Sequence, residues 1–218
     1  MIANEDILLS LDGVTKRFSR SPIFSPVSCE ISSGNIIAIT GANGSGKSTL
    51  LKIIAGVTSP TKGMCRWSIG PLEIDARALQ VLLGFVSPYL ELYNELTAIE
   101  HVKFVAELKS QPISTENAIS DLVSVGLESV IASSDRGIRQ YSSGMKQRVR
   151  LAMAFVCEPR ILLLDEPSSN LDEEGITMLF QRIAVIAAMG AVVVIATNDE
   201  REKRLASCEI VLEPYRKL

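Results

Sequence analysis

The chain has 218 residues, 47% hydrophobic and 22% charged, with a formal net charge of −3. That length suits one domain or a core with an inserted subdomain. The acidic balance argues against nucleic acid as the main partner, because such chains carry a basic excess or stripe. The single His and four scattered cysteines (Cys29, Cys65, Cys157, Cys208) exclude a Cys/His zinc site and read as reduced core thiols. The opening MIANEDILLS is acidic and lacks a basic leader. The longest uncharged run, Ile183 to Asn198, is shorter than the roughly 20 residues of a spanning helix and is interrupted by Gly190.

In chain order, ILLSL and VSCEIS read as short strands, and NIIAIT (35–40) as a strand buried on both faces that ends at Gly41. KSTLLKIIAG reads as a helix stopped at Gly56. MCRWSIG and LLGFV are further strands. TAIEHVKFVAEL opens with Thr97 three residues before Glu100, the spacing of a capping box. STENAISDLVSVG is a second helix, and GMKQRVRLAMAFV a third with Val149, Ala152, Met153 and Val156 on one stripe. Its basic cluster (Lys146, Arg148, Arg150) reads as a solvated face. After Pro159 come the buried strand ILLLDEP, a helix to about Met189, the strand AVVVIAT, a charged helix DEREKRLA and a last strand EIVLE. Strand–helix alternation implies a parallel sheet, and the helical block in the middle reads as an insertion into it.

Gly41 to Ser48, GANGSGKS, fits G-x-x-x-x-G-K-[ST] in full, between a predicted strand and a predicted helix. Gly41, Ala42, Asn43, Gly44, Ser45 and Gly46 form a loop whose backbone N–H groups can curve around phosphate oxygens. The helix opened by Lys47, Ser48 and Thr49 adds a favourable dipole. Lys47 is placed to bridge β- and γ-phosphates and Ser48 to ligate Mg2+. In ILLLDEP, Asp165 emerges at the strand's C-terminal edge, where a carboxylate holds Mg2+ through its water. Glu166 follows as general base or water-positioner.

Tyr141 to Arg148, YSSGMKQR, precedes that strand. With these motifs the whole chain resembles the ATP-binding subunits of ABC transporters, whose signature usually reads LSGGQ. Tyr141, Ser143 and Met145 depart from that form, whereas Ser142 and Gly144 keep it. The resemblance implies a P-loop NTPase (RecA-like) α/β core with a parallel sheet, an antiparallel β subdomain and an inserted helical subdomain. It implies one nucleotide-binding domain over 1–218, with 1–87 and 158–218 as core and β subdomain and 88–157 as the helical signature subdomain. Ser142, Ser143 and Gly144 would contact a nucleotide held by a second such subunit, and Ser169 to Asp172, SNLD, resembles the family's D-loop. Phe18 stands where the family stacks an aromatic on adenine; the alternative is a core aromatic.

Two positions depart from the family. Pro88 stands at the place of a Gln that touches Mg2+ or the attacking water, with Ser87 and Tyr89 as neighbours. Asn198 stands where the family has a His contacting the γ-phosphate, and Asn can neither carry a proton nor a positive charge. The bland reading of Asn198 is a turn residue or helix cap. His101, in the helical insertion, reads as exposed or capping.

The resemblance implies an ATPase using ATP and Mg2+, on the cytoplasmic face of the membrane, working as a dimer with a separate transmembrane permease subunit. The form YSSGMKQR leans towards export. The competing readings are a non-transport ABC ATPase and a slow-hydrolysing ATP-dependent switch.

Overall fold

A computed structural model describes residues 5–18 and 21–215; residues 1–4 of the acidic opening stretch lie outside them. The chain begins with strands β1 (Ile7–Thr15), β2 (Val27–Ser32) and β3 (Ile36–Thr40), followed by helix α1 (Lys47–Ile54). Then come β4 (Lys62–Ile69), β5 (Leu72–Glu73), α2 (Ala76–Leu82) and β6 (Leu83–Val86). A helical run follows: α3 (Ala98–Leu108), α4 (Thr115–Ser124), α5 (Ser129–Ala132) and α6 (Ser143–Phe155). The chain closes with β7 (Ile161–Asp165), α7 (Glu173–Ala188), β8 (Val192–Ala196), α8 (Glu200–Lys203) and β9 (Cys208–Val211).

The strands form two sheets. One is antiparallel, in the order β2-β1-β4-β5, and the other is parallel, in the order β6-β7-β8-β3-β9. In β1 burial alternates, with Ile7, Leu9 and Leu11 inside, as expected of a sheet with one wet face. In β7 and β8 every residue is buried. Alternate side chains of these strands feed two different cores. Leu162, Leu164, Val193 and Ile195 join the core shared with α3, α4, α6 and α7. Ile161, Leu163, Val192 and Val194 join the core shared with α1 and the antiparallel sheet. The uninterrupted runs ILLL and VVVIA follow from this, because a strand covered on both sides has no polar face to show.

The helix starts follow local chemistry. Thr97 accepts the Glu100 N–H at 3.2 Å and Glu100 Oε2 accepts the Thr97 N–H at 2.7 Å, so the expected capping box is present. α1 stops where expected, with Val57 N–H closing onto Lys52 O at 3.0 Å beyond Gly56.

Several expectations need correction. β5 and α2 were not foreseen; β5 is two residues long and α2 buries only Leu79, so neither carries a periodic stripe. The α6 stripe ends one residue early, because Val156 is the C-cap and Cys157 and Glu158 take left-handed φ values of 62° and 47°. The charged helix spans only Glu200–Lys203, since Ser207 N–H is drawn onto Ile36 O at 2.8 Å to start β9. The basic cluster is no solvated face. Arg148 pairs with Asp172 at 2.7 Å, and Arg150 Nε donates to Leu90 O at 2.8 Å. The cysteines are free: Cys29, Cys65 and Cys157 are half-buried at the margin of the cores, whereas Cys208 is exposed and not a core thiol. Burial pushes the Cys65 thiol up to about 12.

His101 is not exposed but buried. Its Nε2 accepts the Tyr93 N–H at 3.0 Å, which requires the proton on Nδ1, 2.8 Å from Thr97 O. Burial holds its pKa below the ordinary histidine value, against the Thr97 carbonyl and Glu100. The unfolded chain therefore takes up this proton at higher pH than the folded one. The stability involved is fully present above the unfolded pKa and is lost as pH falls through the folded one. His101→Gln, which keeps an acceptor and does not titrate, is expected to cost about 1–2 kcal/mol at pH 7.5. It is also expected to flatten the decline of the melting temperature below about pH 6.5. Parallel declines in both proteins would refute this.

Candidate functional site

The parallel sheet sets the site by register. Asp165 of β7 pairs with Ala196 of β8, and Ala196 pairs with Ile39 of β3, so three strand ends lie level. Just beyond them, Glu166 N–H donates to Ala196 O at 2.9 Å and Thr197 N–H donates to Ile39 O at 3.0 Å. The Gly41–Thr49 loop, the pair Asp165–Glu166 and Asn198 thus leave neighbouring strands at one C-terminal edge, where ligands of open parallel sheets bind.

The loop is shaped by its glycines. Gly46 caps α1 at φ 100°, and a Cβ there would come within 2.7 Å of the Phe24 ring and 2.8 Å of Ile23. Only glycine satisfies both the backbone angle and the space. Lys47 is buried and reaches back along the loop, its Nζ donating to Gly41 O at 3.0 Å and Ala42 O at 3.4 Å. Asn43, Gly44, Gly46, Lys47, Ser48, Thr49 and Glu166 line one open cleft of 370 Å³, together with Ile23 and Tyr89. Asn43, Glu166, Asn198, Ser168, Ser169 and Glu202 are among the residues lining an adjoining cleft of 290 Å³. A larger hollow of 500 Å³ shares no lining residue with either cleft and is lined by Thr15, Arg17, Thr61 and Lys62 among others.

Asp165 is buried, and its carboxyl is pushed above the ordinary aspartate range by that burial, while the Ser48 hydroxyl beside it pulls it back. A buried carboxylate and a hydroxyl at one loop edge form a hard oxygen donor set suited to a small divalent cation. Glu166 is exposed and holds a left-handed φ of 47°, a conformation that a non-glycine residue keeps only when its surroundings impose it.

Asn198 is not the helix cap; that role falls to Asp199, whose side chain accepts the Arg201 N–H. The Asn198 amide faces Asn43, Gly41, Thr197 and Lys47. One orientation gives a single hydrogen bond, Nδ2 to Asn43 Oδ1 at 2.7 Å. The reverse orientation donates to Gly41 O at 2.7 Å and Thr197 O at 3.1 Å and accepts from Lys47 Nζ at 3.1 Å. We adopt the reverse, since it pairs donors with acceptors throughout once the Asn43 amide turns with it. Asn198 then clasps the phosphate loop and its lysine.

The remaining candidates lie elsewhere. Ser142 caps α6 by accepting the Met145 N–H at 3.2 Å, with Ser143 and Gly144 in its first turn. A Cβ on Gly144 would meet Asn170 O at 2.8 Å, so the signature packs on the SNLD segment, and Arg148 ties it to Asp172. Tyr141 is buried and its hydroxyl donates to Ile131 O at 3.2 Å, which accommodates the departure from leucine. Among the described residues, none of Tyr141–Arg148 lines the loop cleft. Phe18 does not line it either. It is 71% exposed with Lys16 Nζ 5.2 Å from its ring centroid, so the core reading fails.

Pro88 stays out of the cleft while Tyr89 enters it, with Lys52 Nζ 5.4 Å from its ring. Ile23 and Glu202 were not singled out from the sequence, and Tyr89 was named from it only as a neighbour of Pro88. Tyr89 follows the proline that ends the β6 edge, which is the one signal that pointed there.

The family model described as ABC transporter matches residues 24–169. The sulfate/thiosulfate import ATP-binding protein of Agrobacterium fabrum is 37% identical over 75% of this chain, and the match spans about half (48%) of that longer relative. An uncharacterized ABC transporter ATP-binding protein of Bacillus subtilis is 30% identical over 94% of this chain and 92% of its own length. Among solved structures, a dimeric ATP-binding cassette in a post-hydrolysis state, bound to ADP and Pi, superposes with a TM-score of 0.82 at 28% identity. That likeness covers 96% of this chain and 100% of the other.

Proposed function

This chain belongs to the ABC transporter family, and from that premise we propose that it binds and hydrolyses ATP as the motor subunit of a transporter whose membrane-spanning part is a separate protein. The observation that carries this reading is the convergence of Lys47, Ser48, Asp165, Glu166 and Asn198 at one sheet edge. Lys47 and the loop N–H groups bind and orient the phosphates. Ser48 and Asp165 would hold Mg2+, which when bound neutralises phosphate charge. Glu166 takes the proton from the attacking water.

The signature Ser142–Gly144 would be a second anion site that does not line the loop cleft of its own chain. The proposed assembly is therefore two chains head-to-tail, each signature closing over the partner's nucleotide, with residues 88–157 as the signature subdomain. The solved relative that is dimeric and bound to ADP and Pi supports a second such chain. Among the described residues no helix is long and apolar enough to cross a membrane; the peripheral position on the cytoplasmic face is proposed from the family. We assign export on the form YSSGMKQR; the chain's relatives include proteins named for import and one named for export.

Asn198 makes hydrolysis slow in this reading. Its amide oxygen takes a Lys47 donor, and no imidazole stands at the γ-phosphate edge. Losing an oxyanion-type contact costs about 10²–10³ in rate. The purified chain is expected to hydrolyse ATP with Mg2+, and Asn198→His to raise kcat by up to about 100-fold. Equal steady-state turnover of the two proteins would remove the role given to Asn198. No Mg2+-dependent turnover in either would remove the ATPase reading.

A further inference from the structure

The turn Glu166–Ser169 is pinned from three directions. Glu166 N–H donates to Ala196 O of β8 at 2.9 Å. Gln147 Nε2, from the signature helix α6, donates to Pro167 O at 2.9 Å. Ser168 N–H donates to Glu202 Oε1, from α8, at 2.9 Å. Gln147 and Glu202 are each only 1% exposed.

Glu202 is the unexpected member. A carboxylate is costly to bury unless paired, and an apolar side chain would fill the same space without that cost. Among the described residues it has no ion-pair partner, and its Oε2 has no hydrogen-bond partner. Burial pushes its carboxyl above the ordinary glutamate range, against Ser168 and Thr197, which pull it down. The hydrogen bond its Oε1 accepts comes from the backbone of the turn that carries Glu166 in its left-handed conformation. Such a conformation persists only when its surroundings over-determine it, and a buried acceptor on the adjacent backbone N–H is such a tether. Glu202 also sits four residues after Asn198, and both line the cleft that Glu166 faces.

We propose that Glu202 is a positioning residue for hydrolysis, holding the Glu166–Ser169 turn through Ser168 N–H so that Glu166 stays set against the edge that carries Asn198. The proposal rests on the reading of Glu166 as the group that activates water. Steady-state kcat and KM for ATP, and the Kd of a fluorescent ATP analogue, are to be measured on the full chain and on three variants. Glu202→Gln keeps a neutral acceptor, Glu202→Met keeps the volume without one, and Glu202→Asp draws the acceptor back by one methylene. The Gln variant is expected to retain kcat within about threefold, and the Met variant to lose at least tenfold in kcat with Kd unchanged. The Asp variant should fall between them and decides the matter if the Met variant does not fold. Equal kcat in the Gln and Met variants, a loss in Kd rather than kcat, or an Asp variant with wild-type kcat overturns the positioning role while leaving the ATPase reading intact. Absence of turnover in the wild-type chain overturns both.

Discussion

Replacing Glu166 by Gln is expected to lower ATP turnover by at least about 100-fold, the scale of a lost general base, while ATP binding persists. Glutamine has the same shape and leaves the backbone contacts of the turn in place, namely Glu166 N–H on Ala196 O and Ser169 N–H on Glu166 O. What it lacks is an oxygen basic enough to accept the water's proton. The phosphate loop, Ser48 and Asp165 are untouched, so the nucleotide still binds and the closed pair still forms. The variant should therefore accumulate as an ATP-bound dimer on size-exclusion chromatography, where the parent is expected to return to monomer after hydrolysis. Turnover within threefold of the parent, or no dimer at saturating ATP, would show that Glu166 does not activate the water.

A second large effect is expected from one methyl group. Gly84 lies in β6 beneath α6, and a Cβ there would fall 2.2 Å from Ala154 O and 3.1 Å from Leu162 Cδ1. The closest obstacle is helix backbone, so nothing can swing aside; α6 or β6 has to move. Overpacking of this kind costs about 3 kcal/mol. Gly84→Ala should lower the melting temperature by roughly 6–12 °C for a chain of this size. Since α6 begins at the signature, ATP-driven dimer formation should weaken more than ATP binding to the single chain. A melting temperature within about 2 °C of the parent would mean that the helix is not seated against the strand as described.

Both effects rest on the same contact surface. α6 packs on the parallel sheet through Gly84, holds the Glu166 turn through Gln147 and is tied to Asp172 through Arg148. A displacement of the signature helix is thus felt at Pro167, one residue from the group proposed to activate water.

Much of this was legible before any coordinates. Wholly apolar runs such as ILLL and VVVIA mark strands covered on both faces, and two such strands beside a complete phosphate-loop motif specify the sheet and the edge at which chemistry happens. The Thr97–Glu100 box and the Gly56 stop are local signals that local structure obeys. The misreadings of His101, Arg148 and Arg150, and the omission of Glu202, share a cause. All four carry polar or charged groups, which by residue type belong at the surface. Each is instead drawn inward by a partner distant in the sequence or across a turn: Tyr93 N–H, Asp172, Leu90 O and Ser168 N–H. A pattern of residue types cannot show a hydrogen bond whose two ends meet only after folding.

The sequence by itself determined the phosphate loop, the Asp165–Glu166 pair, the signature, and the two departures at Pro88 and Asn198. The first two follow from residue type and spacing, whereas the signature and the departures are legible only through the resemblance to the family. Only the tertiary structure decided that Asn198 clasps Gly41 and Lys47, that Phe18 lies outside the core, and that Glu202 is buried against the Glu166 turn. The physical reason is register: β7, β8 and β3 are far apart in the chain, and parallel pairing alone brings their ends level.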